Sequence, residues 1–162
     1  MQKRFYYNLL KKLFPAAVFF NASATIGFPH FIGGHATNIG AGATRFYSLD
    51  ADSTSAWSSA DPSDFSNGEV ELAFLAAAGT FDLLNAICNN PAGTGEFFKL
   101  TICKNGVATA LTISINYPNT TATDTTHSVT TEEGDLVSIK IEGAATTGSF
   151  NGSWHIRFTP TA

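Results

Sequence analysis

The sequence predicts an all-β protein: an antiparallel β-sandwich of jelly-roll type with an N-terminal amphipathic helical arm. Only 14% of the residues are charged, whereas 14 glycines accompany many Ser, Thr and Asn residues. Short β-prone runs follow one another about every 8–12 residues, separated by these turn-forming residues. The helical period of the first residues does not recur after residue 24. We therefore expect two units, an arm at 1–24 and one β-sandwich domain at 25–162.

The predicted arm combines apolar and basic residues at helical spacing. Apolar side chains recur at intervals of one helical turn, and Pro15 ends the pattern. The residues of this predicted assembly arm are Lys3, Arg4, Phe5, Tyr6, Leu9, Leu10, Lys11, Lys12, Leu13 and Phe14. The arm has four basic residues and no acid, whereas residues 25–162 hold 5 basic and 13 acidic residues, a net charge of −8. This charge makes nucleic-acid binding through the body unfavourable.

A secretory signal peptide is the alternative interpretation of residues 1–24. The apolar residues at 13–20 would form its hydrophobic core, and the stretch ASA at 22–24 would form the cleavage site. We favour the arm because Lys11 and Lys12 leave only about eight apolar residues, with a proline among them. No run reaches the roughly 18 apolar residues that a membrane-spanning helix needs.

Strands are predicted along the rest of the chain. The β-prone runs lie at 26–32, 45–49, 70–75, 81–88, 97–104, 107–115, 127–131, 136–142 and 153–159. Gly33-Gly34 follows the first run, and 117–126 is predicted as a polar loop. The most specific signal is Asn105-Gly106, because both central residues of a type I′ hairpin turn need positive φ. It predicts a hairpin between the runs on either side.

Five stretches of the sequence resemble a known family. They are GTFDLL at 79–84, AGTG at 92–95, TICKNGVATALTI at 101–113, DTTHSV at 124–129 and EGDLVSI at 133–139. In this order they are similar to a β-sandwich domain of structural proteins from tailed phages and environmental viruses. The resemblance implies a non-enzymatic virion protein: a capsid-associated, decoration, or spike or fibre component. It carries over no catalytic residue.

The resemblance and the arm together imply which partners the protein has. They are identical subunits or other virion proteins, so that the protein is a homo-oligomer located in the virion. Contact of the basic arm with an anionic membrane is a weaker alternative.

No residue pattern in the sequence predicts catalysis or metal binding. The four histidines, at 30, 35, 127 and 155, do not occur at the spacing of a metal site or a catalytic triad. Acids at 132, 133 and 135 share one tight turn, where acidic residues are ordinary composition. Cys88 and Cys103 are predicted either as reduced buried thiols or as a bridge between neighbouring strands. We therefore expect no enzymatic activity, no cofactor and no metal.

Aromatic residues support an alternative function. Trp57, Tyr117 and Trp154 lie in or beside predicted loops and are candidate ligand-stacking residues. Such rings stack sugars in carbohydrate-binding modules, so the alternative is a secreted or cell-surface carbohydrate-binding or adhesin module with residues 1–24 as its signal peptide. Loop aromatics also cap the ends of sandwich cores. Convergence of the three rings on one patch would favour the binding module.

Overall fold

The computed structural model describes residues 28–50, 57–58, 74–143 and 148–161. The predicted arm at 1–24 lies outside these residues. The described residues form ten β-strands and no helix, which confirms the all-β class. The strands are β1 (His30–Ile39), β2 (Thr44–Ser48), β3 (Trp57–Ser58), β4 (Phe74–Leu75), β5 (Gly79–Cys88), β6 (Phe97–Lys104), β7 (Val107–Asn116), β8 (Thr121–Thr131), β9 (Leu136–Glu142) and β10 (Phe150–Pro160).

The strands form two antiparallel sheets. The four-stranded sheet has the order β1-β10-β5-β8, and the six-stranded sheet has the order β3-β2-β9-β6-β7, with β4 pairing with β9 beside β2. The long strands pair in a nested way: β1 with β10, β2 with β9, β5 with β8 and β6 with β7. Each sheet therefore combines strands from both halves of the chain.

The two sheets enclose a single hydrophobic core. Inward residues from both sheets belong to one cluster of buried side chains. Two aromatic pairs cross from sheet to sheet: the rings of Phe98 and Phe150 lie 5.5 Å apart, and those of Tyr47 and Trp154 lie 5.6 Å apart. Full burial of one such side chain stabilises the fold by about 2 kcal/mol. These contacts hold the sheets face to face as a β-sandwich.

The hairpin predicted from Asn105-Gly106 is confirmed. Strands β6 and β7 pair from Lys104–Val107 to Phe97–Asn116. Asn105 has φ 52° and Gly106 has φ 80°, as a type I′ turn requires. Local turn chemistry therefore predicts the position and type of this turn.

Two predicted boundaries are wrong. Gly33-Gly34 was expected to end a strand but lies inside β1, where a Cβ on Gly33 would sit 2.6 Å from the Trp154 carbonyl oxygen. A glycine in a strand fits such a close approach of neighbouring backbone. Part of the predicted loop at 117–126 belongs to β8, since its threonines have high β-propensity and pair with β5.

Candidate interaction surface

The three candidate ligand-stacking aromatics lie on separate parts of the two sheets. Trp57 lies in β3, at one edge of the six-stranded sheet, whereas Tyr117 follows β7 at the opposite edge. Four strand spacings separate these edges, or roughly 19 Å. Trp154 lies on the other sheet, in β10. The three residues therefore lie at two opposite edges of one sheet and within the other sheet.

Trp154 is a core residue. Only 2% of its surface is exposed, and its indole Nε1–H donates to the Leu49 carbonyl oxygen at 3.0 Å. Its ring packs against Tyr47. Both the ring and its polar atom are therefore used inside the sandwich, as the core-capping interpretation expects. Tyr117, by contrast, is 45% exposed.

The outer face of the four-stranded sheet is a broad polar surface with apolar residues at two places. Register places Phe31, Arg157, Asp82 and Ser128 in one row across β1, β10, β5 and β8. The next rows place His155 beside Asn85 and Thr123, and Ser153 beside Ile87 and Thr121. Phe31 and Ile87 are among the most exposed large apolar side chains of the described residues. We call this outer surface the four-stranded face.

An arginine–aspartate pair lies at the centre of the four-stranded face. Arg157 Nε and Nη2 donate to the two carboxylate oxygens of Asp82, each at 2.7 Å. The hydrogen bonds from Arg157 hold the pKa of the Asp82 carboxyl below its usual value, against the opposing effect of partial burial. The two charges cancel, so the face carries no net charge from its Asp, Glu, Lys and Arg residues. A neutral face costs less to desolvate against a partner than a charged one.

Other side chains of the four-stranded face are also held in place. The rings of Phe31 and His155 meet edge to face, with centroids 5.9 Å apart. The Thr123 hydroxyl donates to Asn85 Oδ1 at 2.5 Å, so β8 and β5 are joined on this surface. Preordered side chains lose little conformational entropy when a partner binds.

Strand β1 forms one edge of this surface and, like β7 but unlike β5, β6, β8, β9 and β10, has no charged residue apart from histidine. Residues 13–44, which include all of β1, contain no Asp, Glu, Lys or Arg. Phe28 and Phe31, at its beginning, are 67% and 61% exposed. No local sequence pattern marked Phe28 and Phe31 as candidates for binding. The length of the uncharged segment is the sequence signal that could have found them.

The strongest cluster of titratable groups lies on β8 and supports the fold. Asp124 Oδ1 accepts the backbone N–H groups of Thr126 at 2.9 Å and of His127 at 3.1 Å, and its Oδ2 lies 2.8 Å from His127 Nδ1. Burial by itself raises the pKa of the Asp124 carboxyl, but these hydrogen bonds outweigh it and hold the pKa well below its usual range. The side chain thus organises the irregular part of β8.

This cluster lacks the geometry of a catalytic relay. The Thr126 hydroxyl lies 3.1 Å from His127 Nδ1, the same ring nitrogen that contacts Asp124. A nucleophile activated by histidine must approach the ring nitrogen that the carboxylate does not hold. The three residues therefore form a structural network.

A second polar network ties two turns together at one end of the sandwich. The buried Asp135 carboxylate accepts a hydrogen bond from Asn105 Nδ2 at 2.9 Å and forms an ion pair with Lys104 Nζ at 2.9 Å. It also accepts the Glu132 backbone N–H at 2.8 Å. The β6–β7 turn is thus fastened to the β8–β9 turn. The sequence predicts exposed acids in the β8–β9 turn, but Asp135 is buried.

The two cysteines are free and buried, one in each sheet. Burial raises the pKa of the Cys103 thiol to about 11, with Lys140 opposing and Glu142 adding to the effect. Burial also raises the pKa of Cys88. Thiols of this kind are poor nucleophiles because the reactive thiolate is scarce.

Two other kinds of site were sought in the described part of the chain. It contains no group of three or more His, Cys, Asp or Glu residues that could hold a metal ion. It also contains no helix long and apolar enough to cross a membrane. Comparison with known proteins finds neither a matching protein-family model nor a matching curated protein.

Proposed function

We propose that the chain is a non-enzymatic structural protein of a virion, built as a jelly roll and assembled through an N-terminal arm. Its role is that of a capsid-associated, decoration, or spike or fibre component. Its partners are identical subunits and other virion proteins, in a homo-oligomer.

Nested strand pairing is the single observation that carries this proposal. Folding a long hairpin over on itself produces pairs of the kind β1–β10, β2–β9, β5–β8 and β6–β7, divided between two sheets. This topology is the mark of the jelly roll, an architecture common in viral capsid and lectin domains. It supports the fold that the resemblance to phage and viral structural proteins implies.

The filled interior also favours a structural role. Large side chains from both sheets, such as Tyr47, Phe81, Phe98 and Phe150, are fully buried in the sandwich. Jelly-roll proteins that act on small molecules need a cavity with polar groups that converge on the ligand. A core packed with apolar side chains directs function to the outer surfaces, where assembly contacts form.

The arm supplies the mechanism of assembly in this proposal. Its apolar stripe, with Phe5, Leu9 and Leu13, is expected to bury itself against a neighbouring subunit or the underlying shell. Each Å² of apolar surface removed from water contributes about 25 cal/mol, and symmetry repeats the contact in every subunit. The net charge of −8 on residues 25–162 disfavours contact of the body with nucleic acid.

The test compares the arm's two faces in the full-length chain. Leu9→Asp with Leu13→Asp places two charges on the apolar stripe and should abolish incorporation into particles, as should deletion of residues 1–20. Gln2→Asp with Asn8→Asp adds the same charge at polar positions and should leave incorporation unchanged. Incorporation of the Leu9/Leu13 variant at wild-type occupancy would refute the role of the arm.

Two further measurements separate the alternatives. N-terminal sequencing shows where the mature protein begins. A start at Thr25 would favour the secreted carbohydrate-binding module. Salt-dependent binding of the chain to anionic vesicles would favour a membrane contact of the arm.

A further inference from the structure

In the described part of the chain, five strands have a single partner strand, and their free edges are protected to different degrees. β4, one of the five, has only two residues. β3 has only two residues, and β7 and β8 lie against each other where the two sheets meet, with the Thr112 N–H 3.4 Å from Asp124 Oδ2. β1 has ten residues, and β10 is its only partner strand among the residues that the structure describes. Edge strands normally carry charges, bulges or prolines that prevent pairing with another chain. β1 directly follows Pro29 and has an irregularity near its end, between Ala36 and Ile39, but the residues between these two points carry no Asp, Glu, Lys or Arg.

Electrostatics favour a second copy of the chain at this edge. Most of the body repels a like body, because residues 25–162 carry a net charge of −8. β1 lies within the uncharged stretch at 13–44, and the nearest charges on the four-stranded face, Arg157 and Asp82, neutralise each other. Two copies that approach through this edge therefore meet less like-charge repulsion than copies that approach through the charged parts of the body.

Exposed apolar surface lies at the same place. Phe28 and Phe31 are largely exposed in the protomer, although most of their surface is apolar. If a two-fold axis relates two copies of β1, the two strands run antiparallel. Phe28 and Phe31 of each copy then lie at the interface with the other copy. Backbone hydrogen bonds of the new pair supply affinity, and the apolar side chains add buried area.

We propose that β1 pairs antiparallel with β1 of a second copy, so that the two four-stranded sheets form one continuous sheet across a two-fold interface. This contact is separate from the arm. It gives the protein a second means of self-association, independent of the proposed virion role.

The experiment measures mass in solution for the full-length protein over a range of concentrations. We expect the wild type to show twice the 17.2 kDa of the monomer. Phe31→Lys with Thr37→Lys charges the exposed side of β1 and should weaken self-association about tenfold or more. Thr121→Lys with Thr130→Lys adds the same charge to exposed positions of β8 and should leave the mass unchanged.

Hydrogen exchange of the wild type gives a readout without mutation. Amides of β1 should exchange faster on dilution to the monomer, whereas amides of β5 should keep their protection. A wild type that stays monomeric at all concentrations would overturn the proposal. So would protection of β1 that does not change with concentration, because a segment of the same chain would then cover the edge.

The arm and the edge strand are tested independently. The Leu9/Leu13 variant should still dimerise, while the Phe31/Thr37 variant should lose the dimer with its arm intact. Loss of dimerisation in the first variant and its retention in the second would assign self-association to the arm and refute the pairing of β1.

Discussion

The two edges of the four-stranded sheet are built in opposite ways. At β8, a buried carboxylate gathers backbone and side-chain donors and lies against β7 of the other sheet. At β1, there is no charged residue, and the aromatic side chains at its start are open to solvent. The comparison teaches that polar anchoring closes one side of this sandwich, whereas the other side keeps a surface suited to a partner.

The stability of the fold should be more sensitive to substitutions in β8, the edge held by polar contacts, than to substitutions in β1. Asp124→Ala leaves two backbone donors of β8, the N–H groups of Thr126 and His127, without their acceptor, which should cost about 2–4 kcal/mol of unfolding free energy. Urea unfolding measures the change. Ser128→Ala, at an exposed position of the same strand, should change the stability by less than about 0.5 kcal/mol. If Asp124→Ala and Ser128→Ala lowered the stability equally, the proposed role of Asp124 in holding β8 would be refuted.

Close backbone approach should make β1 intolerant of side chains at one position. Gly33→Ala places a Cβ against the Trp154 carbonyl oxygen and should cost about 1–3 kcal/mol, since β1 must shift away from β10. Gly40→Ala is the matched control, because no atom lies within 4 Å of the added Cβ. Thermal unfolding of both variants checks this, and a Gly33 variant as stable as its control would contradict the register described here.

Acid should lower the stability that the contacts of Asp124 give to the β8 edge. The pKa of Asp124 is lower in the folded protein than in the unfolded chain, so its contribution is present above pH 4 or so and is lost as pH falls below it. The loss of unfolding free energy in acid should be smaller than the loss caused by Asp124→Ala. Unfolding free energies measured from pH 7 to pH 3 should fall more steeply for the wild type than for Asp124→Asn. Parallel pH profiles would show that Asp124 does not supply this dependence.

The smallest change in stability is expected for a substitution in the middle of the four-stranded face, between β1 and β8. Arg157→Lys keeps the charge but replaces the two-point contact with Asp82 by a single one. Because both side chains are partly exposed to solvent, the stability should fall no more than it does for the Ser128→Ala control. Chemical denaturation detects the change, and a loss several times larger would show that the pair organises the whole face.

Parts of the structure that depend on local chemistry were predictable from the sequence. Asn105-Gly106 specified the β6–β7 hairpin because the turn needs only its own backbone preferences. The start of β8 was missed because an aspartate among threonines is typical of a loop, and its burial depends on β5 and β7. Asp124 lies three residues before His127, so its side chain can accept the His127 backbone N–H. That it does so depends on an irregularity in the β5–β8 pairing, which the sequence does not mark.

The candidate surface depends on pairings that sequence patterns do not encode. Phe31, Arg157 and Asp82 share one row only because β1, β10 and β5 are neighbours in the sheet. The burial of Trp154 follows from the packing of two sheets, so its position beside a predicted loop was a poor guide. Exposure of a particular side chain is a tertiary property, whereas the absence of charge from 13–44 can be read directly.

The nested pairing also has a consequence for the order of folding. The β6–β7 hairpin closes across two turn residues, whereas β1 joins β10 through partners as distant along the chain as His30 and Phe158. Closing a longer loop costs more entropy, so we expect the hairpin to nucleate the fold and β1 to dock last. During synthesis, β1 would then leave the ribosome before its partner β10 exists. Its unpaired segment, which lacks charged side chains, would be the part of the described chain most in need of protection by a chaperone.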